Sequence, residues 1–507
     1  MRVYELRGDW IILNTIIVKK NISILPSVLI LLLTCCGSYL MGMQQATAMT
    51  EKEEIEIGRE GNKAVLQKYR VYNNPGLQKY VNYVGNKLAE KGDRPNLKYQ
   101  FLVLDTDEVN AFALPGGYIY ITRGLMAYLN SEAELAAVLG HEIGHVTARH
   151  ASRQQSASKL ADLGTTLAAI LGSMYVPGLN PNVSKDLLNV GSSALLSGYG
   201  RDMELEADQI GAQLLAKTGY DPHAIIDVLS TLKDQESYEF KLARLEDRKP
   251  HVYHGLFASH PDNDTRLKEV VGTADKLKTD EPTYAGRDAY MNLINGLSYG
   301  QDALQGVVIG RGLYHGPLGF AILFPAHWQI DTRGNTTQAY PESRLALIQI
   351  YYFTADPRIS PHEFMVKKLG YTGLRNDEDL LINRLPAHTG QAYINTPYGQ
   401  RLSRVTLIYY GRRAYLIAGM TKDTRGLDRY DDEFRKTAAS FRPMGRAERL
   451  AARQLRIRVV KAGEDTNYKS LAASSPLENL AEEQLRLINE DYPNGEIKPG
   501  EIIKIIQ

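Results

Sequence analysis

Cysteine is almost absent: the 507 residues hold two, Cys35 and Cys36, adjacent and near the start. The rest of the chain therefore has no disulfide and no thiolate ligand, and any metal site in it must be built from His, Asp or Glu. An excess of charge of either sign is missing too, since 59 Lys plus Arg face 58 Asp plus Glu for a formal net charge of +1. That removes the basic surplus on which phosphate-backbone binding depends, and no nucleic-acid partner is expected. Repeats of solenoid period and low-complexity tracts are not found. What is there is a globular composition, 44% hydrophobic and 23% charged, long enough for roughly two to four domains.

The N-terminus reads as an address. Lys19 and Lys20 precede an apolar stretch running to Thr34, about the length of a signal-peptide core and short for a membrane span. Residues 1–48 are assigned to an export signal, with residues 1–17 lying ahead of an alternative start at Val18. Leu33-Thr34-Cys35-Cys36 resembles a bacterial lipobox and would leave a lipid anchor, whereas Ala46-Thr47-Ala48 is a small-x-small site that would release a body beginning at Met49. An uncleaved anchor helix is the third reading. All three place the body outside the cytoplasm, in the periplasm or attached to the outer membrane, with the lipid as the expected membrane contact of a cleaved form.

Residues 49–280 read as a mainly helical domain with a small edge sheet. Two amphipathic runs between 50 and 92 are broken at Asn73-Asn74-Pro75-Gly76, and strands are expected at Tyr99–Leu104 and Tyr118–Thr122 around a Pro-Gly-Gly turn. Ser131 and Glu134 form a capping box that opens a helix toward His150. Residues 157–198 are small and apolar and suggest a flap, and a helix from Asp202 to Lys217 stops at Gly219. From 281 to 445 strand-like segments dominate, with a hairpin at Gly411-Arg412, which indicates an α+β accessory domain. A charged link then leads to a small unit at 457–507 with strands at both ends and a helical middle.

His141-Glu142-Ile143-Gly144-His145 carries the strongest chemical signal. Positions four apart on a helix differ by only about 40°, so both imidazoles leave one face and can grip one ion, with Glu142 beside them to take a proton from an activated water. Gly140 and Gly144 cost about 1 kcal/mol each in a helix interior, which implies close packing or a nearby ligand. A third ligand is needed, and Glu204 and Asp208 share a face of the later helix: Glu204 is the candidate ligand, Asp208 the acceptor for a ligand imidazole N–H. Taken alone, such a Glu-x-x-x-Asp pair is more often a solvated face. Glu206 reads as structural, and His150, His223, His251 and His254 as surface or packing residues.

These segments, HEIGH, the later RDMELEADQIG and the earlier NAFALPGGYIYITRGL, resemble the HtpX and CAAX-prenyl-protease group of gluzincin zinc metallopeptidases over residues 50–270. The resemblance is strongest to exported BepA-like proteases, although the C-terminal half shows no helical repeats of the kind they carry. It implies one Zn²⁺ held by His141, His145 and Glu204, Glu142 as catalytic base and Asp208 orienting a ligand. It also offers His260 as a residue able to occupy the open coordination position and hold the enzyme latent. The tail resembles a LysM module, which implies peptidoglycan binding, with a purely structural cap as the alternative.

The expected fold class is thus α+β: a mainly helical gluzincin domain, an α+β domain and a small LysM-like βααβ unit. The expected activity is hydrolysis of peptide bonds in misfolded or envelope proteins. Unfolded or extended chains would be held along the strand Tyr118–Thr122 by main-chain hydrogen bonds. A chaperone-like envelope scaffold with a gated or vestigial zinc site is the alternative.

Overall fold

The computed structural model describes residues 49–158, 199–247, 250, 263–278, 281–332 and 337–507. The export signal, nearly all of the expected flap, and His251, His254 and His260 lie outside them. No helix among the described residues is long and apolar enough to cross a membrane.

Helix α1 (Glu51–Lys68) starts at Thr50, whose hydroxyl accepts the Glu53 N–H while Glu53 reaches back to the Thr50 N–H. Helix α2 (Pro75–Ala89) follows the break at Asn74, which caps it through the Leu77 N–H. Strands β1 (Gln100–Leu104), β2 (Ala111–Leu114) and β3 (Tyr118–Thr122) come next. They form a sheet in the order β1-β3-β2, with β1 parallel and β2 antiparallel to β3. Because side chains alternate across a strand, Phe101, Val103, Ala111, Ala113, Ile119 and Ile121 enter one core while Leu104, Phe112, Leu114 and Tyr120 face α1 in another. The expectation that Tyr118–Thr122 offers a free edge is therefore corrected. It lies between its neighbours, and the outer strands are β1 and β2, the second of which the turn-rich composition of Asn110–Gly117 had disguised.

Helices α3 (Arg123–Met126), α4 (Glu132–Thr147), α5 (His150–Ser158), α6 (Arg201–Thr218), α7 (Ala224–Leu245), α8 (Asn263–Leu277) and α9 (Arg287–Ile294) complete the helical part. At the start of α4 the Ser131 hydroxyl accepts the Glu134 N–H, and the Glu134 carboxylate accepts the Asn130 N–H. At the end of α6, Gly219 takes the left-handed conformation at φ 82°.

After β4 (Ser298–Tyr299) comes a strand-rich region: β5 (Val307–Ile309), β6 (Gly312–His315), β7 (Phe320–Leu323), β8 (Gln329–Asp331), β9 (Thr337–Tyr340), β10 (Ala346–Thr354), helix α10 (Pro361–Lys367), β11 (Arg375–Ile382), β12 (Leu385–Thr396), β13 (Gly399–Tyr410), β14 (Arg413–Thr421), helix α11 (Leu427–Ala439) and β15 (Arg442–Pro443). Seven of these strands pair in the order β11-β12-β13-β14-β10-β9-β8, and Gly411-Arg412 turns the expected hairpin between Tyr410 and Arg413. Phe434 on α11 enters the core on one sheet face, Phe364 and Met365 on α10 the core on the other.

The chain closes with α12 (Arg446–Ala451), β16 (Leu455–Lys461), α13 (Tyr468–Ser474), α14 (Ala481–Ile488) and β17 (Ile502–Ile506), a βααβ order. This unit is not tethered by a free link, as the charged segment 445–456 had suggested. Strand β16 pairs with β17 and also with β4, and Ile457, Tyr468, Leu485, Ile488 and Ile506 share one apolar core with α2, α4 and α7. Lys504 is fully buried, its ammonium donating to the carbonyls of Ala127 and Leu129 at 2.9 Å each. About fifty residues make a marginal core alone, and the apolar face is completed by its neighbour. Helix α9 and Tyr299 enter the same core, so the α+β region begins near β5 rather than at residue 281.

Candidate metal centre

Helices α4 and α6 carry the two motifs and pack along each other, Gly140 against Gly211 and Gly144 against Ala207. Small residues on both sides let the backbones approach, so that short side chains from each helix meet. Nε2 of His141 lies 2.9 Å from Nε2 of His145. The two Glu204 carboxylate oxygens lie 3.5 Å from the first and 3.6 Å from the second. All three residues are buried. The sequence-expected trio thus converges on one point.

The surroundings set the tautomers. Nδ1 of His141 sits 2.8 Å from Oδ1 of Asp208, and the Arg266 guanidinium grips both oxygens of that carboxylate at 2.8 and 2.7 Å. Burial by itself would raise the Asp208 pKa, but Arg266 and then His141 outweigh it and hold the group at about 2. Asp208 is therefore a carboxylate, His141 donates its Nδ1–H to it, and Nε2 of His141 is left with a lone pair. Burial works against a charged His141, yet Asp208 beside it raises its pKa.

Two of the contributing residues were not anticipated. His150, assigned to packing or the surface, is fully buried with Nδ1 2.7 Å from Nδ1 of His145, and its Nε2 lies 3.2 Å from Glu206. The reading of Glu206 as structural fits its bonds to His150 and to Arg153, 2.7 Å away. Nothing in helical spacing foretold His150, because α4 ends at Thr147 and Arg149 adopts φ 56°, turning the chain back toward the site. Arg266 was missed as well, since it sits on a different helix and had no motif around it. Tyr199 stacks its ring on His145 at 4.3 Å between centroids, and burial raises the pKa of its hydroxyl.

The donor set fits a divalent cation. Glu142, Glu204 and Asp208 bring three buried carboxyl groups against one buried guanidinium, and two imidazole nitrogens with a carboxylate converge from one side. Several buried carboxyl groups and facing imidazole nitrogens crowded together are costly in a low dielectric, and a bound cation offsets that cost. Imidazole with carboxylate is a zinc-type donor set, and three protein ligands leave a position for water or substrate. Next to His145 a cleft opens between Ala113 and Leu114 of the edge strand β2, the end of α4, Arg149 and Tyr199.

Comparison with known proteins covers this same stretch. Residues 75–274 match the profile of peptidase family M48. The beta-barrel assembly-enhancing protease of Yersinia pestis is 32% identical over 218 residues, 42% of this chain and 42% of that protein. Its namesake from Escherichia coli K12 is 29% identical over 245 residues, 47% of each chain. The mitochondrial metalloendopeptidase OMA1 of Arabidopsis thaliana is 36% identical over 137 residues, 27% of this chain and 26% of the plant protein. The chain spans less than half the length of each of these relatives.

Proposed function

We propose that this chain, whose residues 75–274 are those of a peptidase family M48 domain, is a zinc-dependent metalloendopeptidase of the bacterial cell envelope acting on misfolded or extended proteins. The convergence of His141, His145 and Glu204 carries this reading. Zinc, when bound there, supplies Lewis-acid activation of the attacking water and the scissile carbonyl. Glu142, on the same helix and 1% exposed, takes the water's proton and passes it to the leaving amine. Asp208 holds His141 in one tautomer, and His150 restrains His145 from behind. An extended substrate would pair with the edge of β2 beside His145, which selects for unfolded backbone more than for side chains.

The decisive experiment is Glu142→Gln. Zinc content should stay at one ion at this site while cleavage of an unfolded protein falls by about 10²–10⁴-fold. Undiminished cleavage would remove Glu142 as the base. A protein that binds unfolded chains without cutting them in either form would instead be the scaffold with a gated site, a reading the Tyr199 ring over His145 favours.

The remaining assignments are proposals of the same kind. Residues 1–48 direct export to the periplasm or outer membrane, and mass spectrometry of the mature N-terminus should find a lipidated Cys35 or Cys36, or a start at Met49. The domain bounds are testable by limited proteolysis: because α9, β4 and the tail share the core of the helical region, cuts should release the strand-rich part from β5 to β15 and leave 457–507 with the helical part. His260 serves as a switch only if His260→Ala changes activity with zinc retained. The LysM-like tail binds glycan only if its exposed side sediments the full chain with peptidoglycan.

A further inference from the structure

Far along the chain from the peptidase motifs, the seven-stranded sheet holds a second convergence of ligand atoms. His388 lies on β12 opposite Asp379 of β11, with Nδ1 2.8 Å from the Asp379 Oδ1. Its side chain is only 3% exposed. That carboxylate pairs with Nδ1, and Nε2, the other ring nitrogen, is buried with no hydrogen-bond partner among the described residues. Asp377 Oδ2 stands 3.3 Å from it. The ring of His362, from α10, lies 4.6 Å from that of His388 between centroids. One ligand atom each from His362, Asp377 and His388 falls within 4.8 Å of the others.

The backbone is shaped to bring Asp377 there. The β11–β12 register shifts between Arg375 and Glu378, so that Asn376 and Asp377 stand opposite Gly390 alone, with Asn376 in the left-handed region at φ 47°. A Cβ on Gly390 would lie 2.9 Å from Cβ of Asp377. A bulge, a glycine that makes room and a buried imidazole nitrogen aimed at a carboxylate are three independent features of one place.

We infer that His362, Asp377 and His388 form a second site for a divalent transition-metal ion, with waters completing the coordination. Two imidazoles and one carboxylate suit Zn²⁺, and Asp379 acts on His388 as a carboxylate does on a metal-ligating imidazole, fixing its tautomer and raising its basicity. Asp377 and His362 are partly exposed and give the ion an entry path. The bound ion clasps α10 to the β11–β12 edge of the sheet. This site is independent of the peptidase reading.

The test is a zinc count on the full chain after loading with Zn²⁺ and desalting, with hydrogen exchange of residues 361–367 alongside. The parent should retain two ions per chain, and His362→Ala and Asp377→Asn one each, with cleavage activity unchanged. Glu204→Gln should keep the ion held by the sheet. Zinc should slow exchange in 361–367 in the parent and not in Asp377→Asn. Equal zinc counts in the parent and both sheet variants, or exchange in 361–367 that ignores zinc, would overturn the proposal. Loss of zinc in the Glu204 variant alone would bear on the peptidase centre and not on this one.

Discussion

Gly144 rests directly on Ala207: a Cβ added to Gly144 would lie 2.9 Å from the Ala207 carbonyl oxygen and 3.0 Å from its Cα. One turn away the contact repeats between Gly140 and Gly211, whose Cα would stand 3.4 Å from such a Cβ. These contacts set the distance between the helix that carries both imidazoles and the helix that carries Glu204. The helix-weakening cost of two glycines is therefore offset by the site they allow to close.

Gly144→Ala is expected to push α4 from α6 and cost about 1–3 kcal/mol of stability, as overpacking a tight contact does. Because the ligands straddle that contact, zinc retention should fall as well. Urea denaturation with parallel zinc analysis measures both. A stable variant with normal zinc would show that the helices can separate without disturbing the ligands.

Arg266 is fully buried and is the cation that compensates Asp208 and lies 3.4 Å from Glu204. Arg266→Met should leave a buried carboxylate without its partner and cost about 3 kcal/mol or more. Arg266→Lys should recover part of the loss, since a point charge lacks the two-pronged fit. The measurement is the shift in denaturant midpoint, and an unchanged midpoint in the Met variant would exclude a stabilising role.

A chain ending at Met444 should not fold normally. It would strip Ile457, Tyr468, Leu485, Leu487, Ile488 and Ile506, all buried, from the core they share with α4. At about 1.5–3 kcal/mol for each large apolar side chain, the loss matches or exceeds the 5–15 kcal/mol net stability of a typical domain. Soluble expression and zinc content are the readouts. Normal values for both would mean that the tail is dispensable to the fold of the helical region.

His315 provides a pH signature remote from the metal centre. Burial, and secondarily Arg413, lower its pKa from 6.5 to about 4, and its Nδ1 accepts the Leu318 N–H at 3.4 Å, which suits the neutral ring. Between pH 6.5 and 4 the unfolded chain takes up a proton that the folded chain refuses. Stability should therefore fall as pH drops through that window, by about 3 kcal/mol at roughly 1.4 kcal/mol per unit. Subtracting the urea stability of His315→Gln from that of the parent at each pH isolates the effect. A pH-independent difference would contradict it.

Much of this was legible in the sequence because it depends on neighbours in the chain. Four-residue spacing put His141 with His145 and Glu204 with Asp208 on single helix faces. Asn74, Ser131 and Gly219 marked helix ends through their own backbone and side-chain chemistry, and Gly411-Arg412 turned the hairpin. Each is a property of a few consecutive residues, set by helical pitch, strand alternation or turn geometry.

Tertiary structure decided what local period cannot encode. It made β3 the central strand with β1 and β2 outside it, brought His150 behind His145 through a turn at Arg149, and placed Arg266 from a separate helix against Asp208. It also folded the tail into the core of the helical region, where a charged link had suggested a tether. These outcomes turn on contacts between segments tens to hundreds of residues apart. Such contacts are selected by burial and charge compensation summed over whole faces, and no short stretch of residues carries that sum.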